Sequence, residues 1–222
     1  MVDLISHDIT KPFGPHFTEH WRADFIFNAA SIASRKMYLE YPMETIATHI
    51  DGARNACAHA LATDARLVSF SSFEVYGEPL VIPTPENYPG FVDILADRAC
   101  YAESKRMAET ICVTEHRKRG VKVVIARPFN IFGPGEYLLN GRVIPSIINA
   151  ALTQQPFTIF GLGTHTRSYC YISDAVTQLL CLAVKGEAGQ AYNVGNGKIE
   201  ISLIALTDLA STIIQRHKND RA

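Results

Sequence analysis

Short apolar segments alternate with longer amphipathic segments along most of the chain, and this alternation restricts the fold more than any other feature. Strands buried on both faces are continuous apolar runs, and the helices between them cover the sheet. The predicted strands lie at 24–28, which we expect to be buried, and at 66–71, 121–126, 157–160 and 191–194. The predicted helices lie at about 43–62, 99–119, 143–153 and 173–184, with a last helix from Leu203. The pattern predicts an α/β fold with a parallel sheet covered by helices on both faces.

Polar and small residues follow three of these predicted strands at the point where each strand ends. They are Asn28-Ala29-Ala30, Ser71-Ser72 and Pro128-Phe129-Asn130. Because the loops after parallel strands converge at one edge of the sheet, we expect a site at this edge. Taken singly, each segment is better explained as an ordinary loop that ends a strand than as part of a site.

Tyr101 and Lys105 lie four residues apart on a predicted helix, so both side chains project from the same face. At roughly 5 Å and an effective dielectric constant of about 20, an ammonium attracts a phenolate by about 3 kcal/mol. That attraction lowers a tyrosine pKa of ~10 by roughly two units, which suits a general base near neutral pH. The same spacing, without further context, is also that of a surface pair on a helix.

Composition restricts the partners and the compartment. The net charge is −1, so no basic field attracts nucleic acid or an anionic membrane. The five cysteines are scattered and form no cluster with histidines, which favours a reducing compartment and no metal site. The first residues lack the features of a signal peptide, and no apolar run is long enough to span a bilayer. We expect a soluble, cytoplasmic protein.

Several motifs surround the Tyr101 pair. Ser72 lies 29 residues before Tyr101, in SSFEVYG at 71–77, and RPFNIFGPG follows at 127–135. Further segments are HDIT at 7–10, RACYAESKR at 98–106, NGRVIP at 140–145, TRSYCYISD at 166–174 and YNVGN at 192–196. Together they resemble the extended short-chain dehydrogenase/reductases, the NAD-dependent nucleotide-sugar epimerases and dehydratases, and most closely the UDP-glucuronate decarboxylases. The resemblance covers nearly the whole chain and implies a Rossmann-like fold.

The resemblance also implies a role for individual residues. Tyr101 would remove the proton from the sugar 4-hydroxyl while NAD accepts the C4 hydride, Ser72 would hydrogen-bond the reacting oxygen, and Lys105 would hold the nicotinamide ribose. The further cofactor contacts would be Asp8 and Ile9 beside the adenine, Asn28, Ala29 and Ala30 beneath the cofactor, and Pro128 and Phe129 against the nicotinamide. The residues facing a nucleotide-diphosphate sugar would be Asn130, Arg142 and Arg167, and guanidinium groups suit phosphate because they bind it bidentately.

The two residues after Ser72 help to choose among the reactions that a 4-keto sugar permits. The 4,6-dehydratases carry an Asp-Glu pair there, whereas this sequence has Phe73-Glu74. A phenylalanine cannot protonate a leaving hydroxyl, so dehydration is disfavoured. The decarboxylases have a small hydroxyl residue followed by Glu, so Glu74 matches a catalytic position and Phe73 departs from it. Decarboxylation is favoured, and 4-epimerisation stays open.

The resemblance also shows what the sequence lacks. The relatives begin with a glycine-rich strand–turn–helix that grips the cofactor phosphates, and no such cluster occurs here. We therefore expect a chain truncated at both ends, with a partial Rossmann domain at 1–132 and a partial substrate-binding lobe at 133–222 interleaved with the last Rossmann elements. Two interpretations stay open: part of a homodimeric enzyme, or a short binding or regulatory chain that cannot hold NAD. His49 stands where relatives usually carry Asn, a difference that we treat as neutral.

Overall fold

The computed structural model describes residues 2–20, 22–138, 141–159 and 161–219. The strands are β1 (Phe25–Asn28), β2 (Arg66–Phe70), β3 (Val123–Pro128), β4 (Asn130–Phe132), β5 (Thr166–Arg167), β6 (Tyr169–Tyr171), β7 (Ala191–Val194) and β8 (Ile201–Ser202). The helices are α1 (Pro15–His20), α2 (Arg35–Glu40), α3 (Pro42–Thr63), α4 (Ala99–Arg119), α5 (Val143–Thr153), α6 (Ile172–Lys185) and α7 (Leu203–Asn219), with a 3-10 helix at Phe73–Tyr76. The chain forms two compact units, Met1–Pro128 with Val176–Val194 and Phe129–Ala175 with Gly195–Ala222.

A four-stranded parallel sheet in the order β1-β2-β3-β7 organises the first unit. In the register of the sheet, Asn28 pairs with Ser69, Phe70 with Ala126, and Pro128 with Val194. The carboxyl ends of all four strands therefore come to one edge, because parallel strands run in the same direction. This is the parallel α/β arrangement that the alternating sequence pattern predicts, and it agrees with the Rossmann-like fold that the resemblance implies.

Two long helices, α3 and α4, pack against each other beside the sheet. Pro42 begins α3, a position where proline costs no helical hydrogen bond, and Gly120 ends α4 with a φ of 75° that favours glycine. Cys57 and Cys112 are fully buried between the helices, with their sulfur atoms 4.0 Å apart. Both cysteines belong to the apolar core that also contains strand residues such as Leu67.

The second unit contains two small sheets. The strands β4 and β6 pair in parallel, and β5 and β8 pair antiparallel. The helices α5 and α7 pack against each other.

The helix predictions are confirmed, whereas the expected burial of one strand and the existence of another are wrong. The segment 24–28 forms β1, but Phe25 and Phe27 are 44% and 42% exposed because β1 is an edge strand of the described sheet. Residues 157–159 form no strand, and Phe160 lies outside the described residues. The pattern also missed short elements such as α1, α2 and β8. Such two- to six-residue elements carry too few residues for a periodic signal.

Among the residues that the structure describes, no helix is both long and apolar enough to cross a membrane.

Replacing Leu67 by alanine tests the core. Leu67 is fully buried in β2, so Leu67→Ala should lower the free energy of unfolding by about 2–5 kcal/mol in urea denaturation. Leu95→Ala is the matched control, because Leu95 is 89% exposed and its truncation should change stability by less than about 0.5 kcal/mol. Equal losses in the two variants would contradict the assigned core.

Candidate active site

Lys105 is buried at the carboxyl end of β2. Its side chain is 4% exposed, and Nζ donates a hydrogen bond of 2.6 Å to the carbonyl oxygen of Phe70, the last residue of the strand. Burial lowers the pKa of Lys105 to about 8, because the ammonium loses its hydration. At pH 7 the amine is therefore still mostly protonated. This buried cation is bonded to Phe70, which lies two residues before Ser72 in the chain.

Ser72 begins the 3-10 helix that follows β2. Its buried Oγ accepts a hydrogen bond of 3.2 Å from the backbone N–H of Glu74, so the side chain caps this helix. The 3-10 helix packs against α4, and the carboxylate of Glu74 forms an ion pair with Arg98, the residue just before α4. The segment that carries Ser72 is thereby joined to the first turn of the helix that carries Tyr101. The role predicted for Glu74 as an acid or base stays a prediction.

The ring of Tyr101 lies between two other rings. The centroid of Tyr38 is 5.1 Å away at an interplanar angle of 31°, and the centroid of His49 is 5.2 Å away at 82°, an edge-to-face contact. The nitrogen atoms of His49 lie 2.7 Å from Ser31 Oγ and 2.7 Å from Ser104 Oγ. Burial, and then the positive charge of Lys105, lower the pKa of His49 to about 3, so its imidazole is neutral over the physiological range.

A buried ion pair holds α4 one turn after Lys105. Arg127 Nε and Nη2 donate to the two carboxylate oxygens of Glu109 at 2.8 and 2.6 Å, and Nη1 donates to the hydroxyl of Tyr76 at 2.8 Å. Ser71 donates to Glu109 Oε1 at 2.5 Å. Burial opposes the charge of Arg127, but the hydrogen bonds and charge of Glu109 outweigh it and raise the Arg127 pKa. The network joins α4 to the ends of β2 and β3.

The residues predicted beside the adenine lie on the N-terminal segment of the first unit. Asp8 is exposed and its Oδ1 accepts from the backbone N–H and the hydroxyl of Thr10 at 3.0 and 2.8 Å, hydrogen bonds that lower the Asp8 pKa. The carbonyl of Ile9 accepts from Asn55 Nδ2 at 2.8 Å, which fixes this segment on α3. Asn28, half-buried, ends β1, and Ala29 and Ala30 follow it in exposed positions. Pro128 ends β3.

The residues predicted to bind the substrate lie in the second unit, on separate elements. Phe129, predicted as a cofactor contact, is also in this unit and precedes β4, and the amide of Asn130 donates to Ser168 O at 3.2 Å. Arg142, just before α5, is exposed and 3.4 Å from a carboxylate oxygen of Glu136, and Arg167, on β5, is exposed. Of the NGRVIP motif, Asn140 lies outside the described residues. Their predicted roles stay predictions.

The structure shows contacts of residues for which the sequence analysis predicted no role: Tyr38, Arg98, Ser104, Glu109 and Arg127. It also shows that His49 has a more specific role than the sequence indicated. One available signal was helical spacing, since Glu109 follows Lys105 by four residues and therefore shares its face. The other partners are far apart in the chain. In the described part of the chain, no group of three or more histidine, cysteine, aspartate or glutamate side chains could hold a metal ion.

These features define an α/β protein with a buried lysine and a serine at the carboxyl end of one parallel strand, and a tyrosine one helical turn before the lysine. The profile of the NAD dependent epimerase/dehydratase family matches residues 6–195, and the chain belongs to that family.

Individual relatives agree with this assignment. The chain is 38% identical over 213 residues to UDP-glucuronic acid decarboxylase 6 of Arabidopsis thaliana, which covers 96% of this chain and 60% of the relative. It is 36% identical over 212 residues to UDP-glucuronic acid decarboxylase 1 of Xenopus tropicalis, covering 96% and 48% of the two chains. The solved structure of an epimerase from Methanothermobacter thermautotrophicus superposes with a TM-score of 0.83 at 25% identity, over 95% of this chain and 62% of that one. The chain thus spans about half to three fifths of the length of these relatives.

Glu109→Gln should destabilise the fold strongly, because it leaves the buried guanidinium of Arg127 without a counter-charge. We expect a loss of about 3–5 kcal/mol in the free energy of unfolding, measured by urea denaturation. Glu115→Gln on the same helix is the matched control, because its pair with Arg119 is more exposed and should contribute less than about 1 kcal/mol. The prediction fails if Glu109→Gln costs no more than this control.

The low pKa of His49 predicts a specific pH dependence of stability. The unfolded chain binds a proton at His49 below pH 6.5, whereas the folded chain does so only near pH 3, so folding opposes protonation and stability falls as the pH drops through this window. In His49→Asn no group titrates at this position, so this loss of stability at low pH is absent. The stability difference between wild type and His49→Asn should therefore shrink by about 2 kcal/mol between pH 7 and pH 5.

The control for this pH experiment is Leu67→Ala, whose stability cost should be the same at both pH values because no ionisable group is removed. A His49→Asn difference that stays constant between pH 7 and pH 5 would contradict the buried, neutral imidazole.

Proposed function

We propose that this chain carries the catalytic residues of a nucleotide-sugar enzyme that begins its reaction by oxidising the sugar at C4, most like a UDP-glucuronic acid decarboxylase. The observation that carries the proposal is the buried ammonium of Lys105, which is bonded to Phe70 at the end of β2, two residues before Ser72, and lies one helical turn after Tyr101. A cation and a hydroxyl at one strand end, with a phenol one helical turn from the cation, suit proton removal from an alcohol. The 38% identity to the Arabidopsis decarboxylase supports the reaction class.

The first unit fits the nicotinamide–ribose part of a dinucleotide. Lys105 has three N–H donors and uses one on Phe70 O, which leaves an ammonium suited to ribose hydroxyls. The exposed small residues Ala29 and Ala30, after β1, allow a flat ligand to approach the strand ends. NAD, when bound, would supply the acceptor and later the donor of the C4 hydride. Asp8, Ile9, Asn28, Pro128 and Phe129 are the further proposed cofactor contacts.

In the proposed chemistry, the Tyr101 phenolate takes the proton from the sugar 4-hydroxyl and Ser72 donates a hydrogen bond to the same oxygen. The positive charge of Lys105 favours the phenolate over the phenol. A ketone at C4 of a glucuronate lies β to the carboxylate, so it accepts the electrons left when that carboxylate departs as CO₂. The same ketone permits 4-epimerisation, the second candidate. A 4,6-dehydratase is the less favoured alternative, because Phe73 provides no acid for a leaving hydroxyl.

The two compact units suggest a division of labour. We assign the proposed dinucleotide contacts other than Phe129 to the unit that contains the four-stranded sheet, and the nucleotide-sugar contacts Asn130, Arg142 and Arg167 to the other unit. We further propose a homodimer through the helices α3 and α4. Met43 on α3 and Met107 on α4 are 69% and 48% exposed, which supports an apolar contact there. Light scattering after size exclusion tests the dimer.

The purified chain, incubated with NAD⁺ and UDP-glucuronate, should release CO₂ and form a UDP-pentose, followed by NMR of the sugar. Tyr101→Phe should lower kcat at least about 100-fold, because the base is lost. Tyr192→Phe is the matched control: its hydroxyl accepts only a structural hydrogen bond from Glu187 N, and its kcat should stay near that of wild type.

The product distinguishes the alternatives. A six-carbon sugar inverted at C4 would identify an epimerase, and a 4-keto-6-deoxy sugar a dehydratase. Absence of binding heat with NAD⁺ at millimolar concentration, together with absence of turnover, would contradict the enzymatic proposal and favour the non-catalytic binding chain.

A further inference from the structure

His49 is a buried, ionisable side chain for which the proposed chemistry has no step. It lies in the middle of α3, is 3% exposed, and has an oxygen atom 2.7 Å from each ring nitrogen. One oxygen belongs to Ser31, in the loop after β1. The other belongs to Ser104, in the turn of α4 that begins at Tyr101. The imidazole therefore bridges a strand-end loop and the helix that carries the proposed base.

The surrounding hydrogen bonds determine which nitrogen carries the proton. The single hydroxyl proton of Ser104 points to backbone carbonyls, since its oxygen is bonded to Cys100 O and lies 3.1 Å from Tyr101 O. Ser104 Oγ must then accept from His49, so Nδ1 is protonated. Nε2 is left with a lone pair and accepts from the Ser31 hydroxyl. The burial that keeps the pKa of His49 low agrees with this neutral state.

This directed chain ends on a backbone carbonyl, and that ending excludes a proton relay. Transfer along the chain from Ser31 would place the proton on the Cys100 carbonyl oxygen, which is far too weak a base to hold it. What the chain can do is fix geometry. It ties the second turn of α4 to α3, and the imidazole and the ring of Tyr101 make an edge-to-face contact.

We propose that His49 is a positioning residue for Tyr101, acting through its hydrogen bond to Ser104. The proposal rests on the proposed function of Tyr101 as the base. Of the two hydrogen bonds of His49, the bond to Ser104 carries the effect, because Ser104 and Tyr101 share a helical turn. The bond to Ser31 only orients the imidazole from its other side.

Two amide substitutions separate the two bonds. Asparagine places its amide where Nδ1 lies, so His49→Asn keeps the donor to Ser104 and loses the Ser31 contact. Glutamine reaches the position of Nε2, so His49→Gln keeps the Ser31 contact and loses the donor to Ser104. Ser31→Ala and Ser104→Ala are the matching variants on the partner side. They give the same two losses without changing the imidazole.

The first readout requires no turnover. In wild type, ¹⁵N spectra should show His49 protonated at Nδ1 and bare at Nε2. With ¹³C-labelled tyrosine, the Tyr101 ring signals, assigned by their disappearance in Tyr101→Phe, should coincide in wild type and Ser31→Ala. They should move in Ser104→Ala, which like Ser31→Ala keeps the imidazole beside the ring. A change confined to overall stability would shift none of them.

The second readout is kinetic. A misplaced base slows the chemical step without weakening ground-state binding, so His49→Gln should lose about 10- to 100-fold in kcat with little change in KM. His49→Asn should retain kcat within about threefold.

Unmoved Tyr101 signals in a folded Ser104→Ala protein would overturn the proposal, as would equal kcat values in all four variants of an active enzyme. If His49→Gln does not fold, Ser104→Ala decides by the same criteria. If the NMR pattern appears but wild type shows no turnover, the positioning role stands and the proposed function fails.

Discussion

The hydrogen bond from Lys105 Nζ to the carbonyl oxygen of Phe70 is the contact on which the rest of the site depends. It is made between the second turn of α4 and the last residue of β2. The strand β2 is an interior strand that pairs with β1 on one side and β3 on the other. A buried ammonium without a partner would be strongly unfavourable, so this bond fixes where the helix sits along the strand. Ser72 follows two residues later, and its position is set by the same strand end.

Three further contacts hold α4, the helix that carries Tyr101, at different points along its length. Arg98, before the helix, pairs with Glu74; Ser104 is bonded to His49; and Glu109 is bound by Arg127 and Ser71. Each contact reaches a different neighbour: the 3-10 helix, α3, and the ends of β2 and β3. A helix restrained at four points has little freedom to move the phenol. Such preorganisation is what a proton transfer between fixed groups requires.

Most of the architecture could be predicted from the sequence, and the site could be predicted only in part. Long helices are signalled locally, as at Gly120, where the residue that ends α4 is readable in the chain itself. The burial of β1 could not be read from Phe25 and Phe27, because apolar residues in a short run look the same at the edge and in the middle of a sheet. The Tyr101–Lys105 pair was visible because helical spacing is local.

The residues that hold α4 in place were harder to recognise in the sequence, because their contact partners are distant in the chain. Ser104 lies 55 residues after His49, and Arg127 lies 18 residues after Glu109, so neither contact leaves a local pattern. His49, treated as a neutral difference from the sequence, proved to be hydrogen-bonded on both sides and in contact with the proposed base.

A crystal structure with NAD and a nucleotide sugar bound tests the central claim most directly. The account predicts Tyr101 Oη and Ser72 Oγ both within about 3 Å of one sugar hydroxyl oxygen. Side chains that open into separate cavities, with no substrate atom in common, would contradict it.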